Sequence, residues 1–237
     1  RSGLGVASYN GYVFAVGGYD GAAATSTVYS AQLKTDGTIG PWATLNTLPA
    51  LHQWGAVQAA SGYLFVAAGG ATGAAAVSTI YSAQIKADGT IGTWQTLTAL
   101  PAVRYQATST VSNGYLFIIA GSTDGASANG VSTVYSAQIK TDGTIGAWQT
   151  LNTLVVINAP SAASYNGYIF VAGGIDAGSN VKAAVYSAVV KSDGTIGAWN
   201  TLTSMPAVRY IGSMLAANGY LYFIGGGAGA GGLTNMY

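Results

Sequence analysis

Few side chains in this sequence have catalytic chemistry. Among its 237 residues there are seven Asp, one His, no Glu and no Cys. An enzyme needs positioned acids, bases, nucleophiles or metal ligands. Without Cys there is no thiolate and no disulfide framework, and the single His52 has no Glu to work with in acid–base chemistry. We therefore expect no catalytic residue, no metal site and no cofactor.

The aspartates fall into two groups. Four belong to the repeated Asp-Gly-Thr-Ile-Gly sequence, where a turn explains them: Asp36, Asp88, Asp142 and Asp193. The other three each follow an apolar strand-like run in a different part of the chain: Asp20, Asp124 and Asp176. We expect these three to lie on one rim, too far apart to share a metal ion.

A second set of residues, most of them polar, stands ten positions before the glycine of each of five predicted hairpin turns, at 10–11, 61–62, 113–114, 166–167 and 218–219. Its members are Arg1, His52, Arg104, Ile157 and Arg209. Three aromatic residues follow closely: Trp54, Tyr105 and Tyr210. Arginine beside aromatic rings in a concave surface can bind carboxylates or sugars. The alternative is that these arginines bind backbone carbonyls of neighbouring loops.

These residues belong to a repeat of about fifty residues, a period typical of propellers and solenoids. The stretch Tyr-Ser-Ala-Gln, continuing to Asp-Gly-Thr-Ile-Gly-x-Trp, recurs with small changes. Its copies begin at Tyr29, Tyr81, Tyr135 and Tyr186, and Tyr237 begins a fifth.

Each repeat predicts four short strands, A to D. In the third repeat they span 104–112, 115–120, 132–140 and 145–151. Asn-Gly predicts a type I′ hairpin turn between A and B, because both positions need positive φ, and Asp-Gly predicts the turn between C and D. Helical periodicity is absent. The fold class is therefore all-β, with four-stranded antiparallel blades of a β-propeller.

Glycine pairs after strand B and one tryptophan per repeat complete the pattern. The pairs are 17–18, 69–70, 173–174 and 225–226. We expect them to allow close backbone packing, since no helix follows to make a phosphate site. We expect the tryptophans to fill space between blades; they are Trp42, Trp94, Trp148 and Trp199.

The run Phe14-Ala-Val-Gly-Gly18, followed by Tyr29, Trp42 and Leu48-Pro49, resembles the kelch repeat, and 218–226 is an especially close match. The resemblance covers essentially the whole chain and implies a single kelch-like propeller domain, 1–237. Its blades would span about 1–50, 51–102, 103–155 and 156–207, with a partial blade at 208–237. The Asp-Gly-Thr-Ile-Gly-x-Trp variant is similar to kelch-type repeats of bacterial surface proteins.

Function follows less directly, because kelch propellers include oxidases, epimerases, interaction domains and surface proteins. The resemblance implies that strand A is innermost, so the residues preceding it would ring the mouth of an axial channel. The candidate ligand-binding residues are Arg1, His52, Trp54, Arg104, Tyr105, Arg209 and Tyr210. Copper-dependent kelch oxidases need several His ligands and a Cys–Tyr cofactor, which this chain lacks. A sugar-acting kelch enzyme is the least favoured reading, because Glu is absent.

The composition limits the classes of partner that we expect. Charged residues make up 6% of the chain, against about 25% in typical soluble domains. A net charge of +1 gives no reason to expect nucleic-acid binding, and no apolar run approaches the ~20 residues of a membrane-spanning helix. This composition favours an extracellular or cell-surface protein of a bacterium or archaeon.

The predicted fifth blade stops at the start of strand C, and an open sheet edge exposes unpaired backbone groups. We expect one of three situations: a fragment of a longer protein, further strands beyond those seen, or pairing with another copy. A fragment or a chain with further strands is favoured, since the near-identity of the repeats indicates recent amplification and therefore additional blades. The leading functional hypothesis is a non-catalytic extracellular binding or adhesion module for a glycan or protein. The alternative is a structural, self-assembling subunit.

Overall fold

The computed structural model describes residues 1–73 and 75–229, and they form an all-β fold. Four sheets each contain four antiparallel strands in the order A–B–C–D, and two further strands form the start of a fifth sheet. Among the described residues there is no α-helix, only a 3-10 turn at Ser127–Asn129. The predicted four-stranded blades are confirmed.

The strands are numbered in chain order. The first blade contains β1 (Gly5–Tyr9), β2 (Tyr12–Val16), β3 (Val28–Gln32) and β4 (Ala43–Thr44). The second contains β5 (Ala56–Ala60), β6 (Tyr63–Ala67), β7 (Ile80–Gln84) and β8 (Gln95–Leu97). The third contains β9 (Thr108–Ser112), β10 (Tyr115–Ile119), β11 (Val134–Gln138) and β12 (Gln149–Thr150). The fourth contains β13 (Ser161–Tyr165), β14 (Tyr168–Ala172), β15 (Val185–Val189) and β16 (Asn200–Leu202). The fifth contributes β17 (Ser213–Ala217) and β18 (Tyr220–Ile224).

The chain divides into two compact units. One comprises Arg1–Tyr105 with Ile139–Gly146, and the other comprises Gln106–Gln138 with Ala147–Tyr237. Within each unit the A strands of consecutive blades contact each other, β1 with β5 in the first and β9 with β13 and β13 with β17 in the second. The single domain 1–237 stays a prediction. The predicted start of a fifth strand C at Tyr237 lies outside the described residues.

The A–B hairpin turn has the predicted conformation. At the first A–B turn, Asn10 has φ 47° and Gly11 has φ 76°, the two positive angles that a type I′ turn requires. The pairing register runs from Gly5 opposite Val16 to Tyr9 opposite Tyr12 without a bulge. A two-residue turn therefore fixes which side chains of each hairpin face the neighbouring blade.

The strands are shorter than predicted. Strand A of the third blade begins at Thr108 rather than at 104, because Gln106 adopts φ 54° and interrupts the extended chain. The same left-handed residue recurs in the other blades, at Gly3, Trp54, Ala159 and Ile211. Strand D of the third blade is reduced to Gln149–Thr150, and strand C to Val134–Gln138.

Apolar side chains between neighbouring blades form the core of each unit. In the first unit, Phe14 and Val16 of the first blade pack with Leu64 and Val66 of the second, and all four are buried. In the second unit, residues of β10 pack in the same way with residues of β14. Burying one such side chain stabilises the fold by about 1.5–3 kcal/mol. The blades are thus held together mainly by their flat faces.

Candidate functional site

Before strand A of the second, third and fifth blades, the residues His52, Arg104 and Arg209 are each bonded through the backbone carbonyl to the glycine pair of the preceding blade. Gly18 N–H donates to His52 O (2.7 Å), and Gly174 N–H donates to Arg209 O (2.7 Å). A Cβ on Gly17 would lie 2.4 Å from His52 O, and one on Gly173 would lie 2.3 Å from Arg209 O. The predicted role of the glycine pairs in close backbone packing is confirmed at these positions.

Arg104 and Arg209 lie inside the protein. Each is 2% exposed, and each donates from Nη1 to the carbonyl of the residue before it, Val103 or Val208, at 2.7 Å. These bonds are of the kind that the structural alternative predicts. Their role in ligand binding stays a prediction.

His52 is buried and neutral. Burial lowers its pKa to about 4, because desolvation disfavours the imidazolium. Its Nε2 atom has no hydrogen-bond partner among the described residues, and a Cβ on Gly55 would lie 2.2 Å from its Cε1 atom. No group of three His, Cys, Asp or Glu side chains suited to a metal ion occurs in residues 1–73 and 75–229.

The aromatic candidates serve packing within their units. The ring of Trp54 lies against Gly3, where a Cβ would approach within 2.7 Å of Cε2. Tyr105 accepts a hydrogen bond from Gln53 Nε2 at 3.1 Å, and burial raises the pKa of its hydroxyl. Tyr210, in the second unit, packs against Gly227.

Arg1 is the candidate whose charged group is exposed. It donates to Gly17 O and to the Tyr29 hydroxyl, both at 3.1 Å. Its Cζ atom lies 4.9 Å from the centroid of the Tyr29 ring, a cation–π contact. Of the seven candidates, five lie in the first unit and two, Arg209 and Tyr210, in the second.

The aspartates are bound within their own loops. In the C–D turns, the backbone N–H and the hydroxyl of the following threonine donate to one carboxylate oxygen, as Thr38 does to Asp36 at 2.9 and 2.6 Å. These hydrogen bonds lower the pKa of Asp36, and the pKa values of Asp88, Asp142 and Asp193 are lowered for the same reason. The Lys182 side chain, 2.5 Å from Asp176, lowers the pKa of that carboxyl to about 2.

The two remaining aspartates behave alike. Backbone N–H donors hold the pKa of Asp20 and of Asp124 below the usual value. All seven carboxyl groups therefore stay ionised at neutral pH, and none is poised to donate a proton.

The repeated stretch makes the contact between blades, which the sequence analysis did not recognise. In the second, third and fourth blades, the glycine of the C–D turn lies against a tyrosine ring of the preceding blade. A Cβ on Gly89 would lie 2.2 Å from the Tyr12 ring, and Gly143 and Gly194 stand in the same relation to Tyr63 and Tyr115.

The Tyr-Ser-Ala-Gln half of the stretch receives the next turn. Ser82 Oγ donates to Gly143 O, and Ser136 Oγ donates to Gly194 O, both at 2.9 Å. One half of the repeated stretch therefore binds the other half of the copy that follows. The signal in the sequence was the faithful repetition of both halves at a fixed spacing.

Tryptophan and asparagine add a second bond across the same junction. Trp94 Nε1 donates to Asn46 O at 3.1 Å, and Asn46 Nδ2 donates back to Ile91 O at 3.2 Å. Trp199 and Asn152 repeat this arrangement in the second unit.

Trp42 does not fill space between blades, and that prediction is wrong for this residue. Its side chain is 51% exposed. Trp94 and Trp199 are partly buried against the blade that precedes each of them, whereas no blade precedes the first among the described residues.

The first blade therefore presents an apolar surface that the later blades bury. We call Val6, Leu33, Ile39 and Trp42 the leading face. The first three are 46–58% exposed, whereas their counterparts in the second blade, Val57, Ile85 and Ile91, are 3–8% exposed. Beside them, Gly37 has φ 80° like Gly89, yet a Cβ there would meet nothing within 4 Å. The leading face has the same types of residue as the surfaces that pack between blades, but no blade covers it among the described residues.

Comparison with known proteins supports the fold class. The family model described as Kelch motif matches residues 1–30. The solved structure of YjhT is similar, with a TM-score of 0.75 at 14% identity, over 95% of this chain and 72% of that one. No curated protein sequence matches the chain.

The chain therefore has the fold of a β-propeller built from four-stranded repeats, and its residues 1–30 match the Kelch motif. The fold matches 365 solved chains, so the architecture by itself does not select a function. In residues 1–73 and 75–229, no helix is long and apolar enough to cross a membrane.

Proposed function

We propose that the chain is a non-catalytic binding module of an extracellular or cell-surface kelch-like protein, and that its partner is a protein. The observation that carries this proposal is the leading face. Its Leu33, Ile39 and Trp42 are about half exposed, although the same positions elsewhere in the chain are built to pack against another blade. Contiguous exposed apolar side chains mark protein-binding surfaces.

The state of the polar groups supports a role without catalysis. Every aspartate is ionised and bound in its own loop, His52 is buried and neutral, and Arg104 is buried against backbone. A hydrolase or epimerase needs at least one group that exchanges a proton with its substrate. Among the described residues, the one His is buried and no carboxyl group is held protonated, so neither supplies the general acid of such an enzyme.

Composition supports the location. Ser, Thr, Gly and Tyr supply the surface polarity that charged residues provide elsewhere, since only 6% of the chain is charged. The Asp-Gly-Thr-Ile-Gly-x-Trp repeats resemble those of bacterial surface proteins. Both features fit a module that adheres or assembles outside the cell.

A photo-crosslinking amino acid at position 33 tests the proposal in cells that express the protein. The control places it at position 51, because Leu51 is 50% exposed, close to the 46% of Leu33, but lies outside the leading face. We expect a discrete protein adduct from position 33 and none from position 51. Equal labelling at both positions, or no adduct at position 33, would refute the proposal.

A second candidate is a ligand at the residues preceding strand A, with a glycan as the ligand class. It is favoured by Arg1, an exposed residue whose guanidinium lies over the Tyr29 ring. This group can bind a carboxylate or a sugar hydroxyl in addition to its bonds to Gly17 O and the Tyr29 hydroxyl. A glycan array probed with the wild type and with Arg1→Ala tests it. Binding to acidic glycans that the variant loses is the expected result, and an array without signal would exclude it.

A further inference from the structure

We propose that Asn10, in the A–B turn of the first blade, is a site of spontaneous deamidation at which the asparagine becomes aspartate or isoaspartate. The inference goes beyond the proposed function and is independent of it. It depends on the accessible amide of Asn10, on the backbone N–H of Gly11 and on the open space around this turn.

The reaction is intramolecular and uses water as its only reagent. The Gly11 N–H loses its proton to solvent, and the nitrogen attacks Asn10 Cγ. A C–N bond closes a five-membered succinimide, and the Cγ–Nδ2 bond breaks to release ammonia. Water then opens the ring at either carbonyl, which leaves aspartate or isoaspartate. Glycine is the residue that hinders the attacking nitrogen least, because it has no Cβ.

Both reacting groups are accessible in the folded protein. Asn10 and Gly11 are exposed, and the Gly11 N–H has no acceptor among the described residues. A Cβ on Gly11 would meet nothing within 4 Å, so space surrounds the attacking atom. The rotation that brings the nitrogen to Cγ loosens the bond from Leu33 N–H to Gly11 O (2.7 Å). The folded protein therefore reacts more slowly than the unfolded chain, but it reacts.

The exposure belongs to the turn and not to the place of the blade in the chain. Asn113 occupies the same position in the third blade and is also exposed. Its amide is less free, because Nδ2 donates to Val190 O of the fourth blade at 3.3 Å. The amide of Asn10 makes no such bond with the described residues. We therefore expect Asn10 to react faster than Asn113.

Other Asx-Gly pairs are held in unreactive states. Asn129 precedes a glycine too, but its Nδ2 donates to Asp124 Oδ2 at 2.7 Å. The Asp-Gly turns are protected differently, since the Asp36 carboxylate accepts two hydrogen bonds from Thr38. An ionised carboxylate is a poor electrophile, so these turns do not form a succinimide at neutral pH.

Isoaspartate would change the first hairpin. Its backbone contains one additional carbon atom, whereas the register with Tyr9 opposite Tyr12 is set by a turn of two ordinary residues. The same hairpin places Phe14 and Val16 in the core of the first unit. Aspartate alone would keep the turn, because Asp-Gly also forms type I′ turns.

Peptide mapping by mass spectrometry tests the inference on the purified protein after prolonged incubation at physiological temperature. The tryptic peptide 2–34 contains Asn10 as its one asparagine, and isoaspartate is detected by enzymatic methylation. Asn10→Ser is the matched variant, because Ser61 and Gly62 form the same turn in the second blade with φ of 51° and 82°. A parallel incubation in urea measures the rate in the unfolded chain.

We expect Asn10 to convert in buffer several-fold faster than Asn129, with Asn113 between them, and faster in alkaline than in acidic buffer. The incubated wild type should unfold at a lower urea concentration than the incubated Asn10→Ser protein. An Asn10 that converts in urea but not in buffer overturns the inference, as does an Asn10 that converts no faster than Asn129. Equal urea midpoints of the two incubated proteins would contradict the effect on the hairpin.

Discussion

Adding one methyl group at two equivalent turns separates turn strain from blade contact. Gly37 and Gly89 occupy the same position of the same Asp-Gly turn, with φ of 80° and 77°. Alanine at either site must adopt the left-handed backbone conformation, which lowers the free energy of unfolding by roughly 1–2 kcal/mol. Only Gly89 lies against another blade, where the new Cβ would be 2.2 Å from the Tyr12 ring.

That contact is far below van der Waals distance, so the turn or the ring must move. Overpacking of this kind typically costs about 1–3 kcal/mol. We therefore expect Gly89→Ala to lower the free energy of unfolding by roughly 2–5 kcal/mol and Gly37→Ala by roughly 1–2 kcal/mol. The difference between the two variants measures the blade contact alone.

Urea unfolding of both variants, followed by tryptophan fluorescence and by circular dichroism, gives the two free energies. The measurement is made at a concentration where the protein is monomeric, so that association does not contribute. Equal losses at the two sites would refute the assignment of the Asp-Gly turn to the junction between blades. A larger loss at Gly37 would refute it more strongly.

Two further predictions follow from the same contacts. Trp94→Phe removes the hydrogen bond to Asn46 O and should lower the free energy of unfolding by about 1 kcal/mol in urea. Trp42→Phe, at an exposed position, should leave it almost unchanged. Equal losses would contradict a stabilising role of this bond between the first two blades. Burial lowers the pKa of His52 to about 4, from an ordinary value of 6.5, so the unfolded chain binds this proton first as pH falls. Stability should therefore be full above pH 6.5 and decline by on the order of 2–3 kcal/mol down to pH 4, and a pH series of unfolding curves for His52→Gln should lack this decline.

The fold was predictable because its local signals are strong. Asn10-Gly11 fixes the A–B turn and the register of the hairpin, and the fifty-residue period specifies repeated blades. The role of the glycine pairs was also predictable. No helix follows them to form a phosphate site, so close backbone packing was the remaining explanation. The left-handed Gln106 and its equivalents were not, since a non-glycine residue with positive φ carries no signal in the sequence.

The site was less predictable for a physical reason. Arginine, histidine and tryptophan before strand A are typical both of ligand sites and of buried loop supports, and residue type does not distinguish them. The burial of Arg104 and Arg209, each 2% exposed, is likewise a property that residue type alone does not reveal. The contact between blades was not predicted either, because the sequence shows that the stretch repeats but not that one copy packs against the next. The three-dimensional structure shows this.

The exposed state of Trp42 gives the most direct test of the central claim, that the leading face is a docking surface. Hydroxyl-radical footprinting of the purified protein and of the protein in the cells that express it, read out by mass spectrometry, compares the oxidation rate of each tryptophan. The account predicts that Trp42 oxidises several-fold more slowly in the cells while the rate at Trp94, already partly buried, is unchanged. Equal Trp42 oxidation rates in the two samples would contradict it.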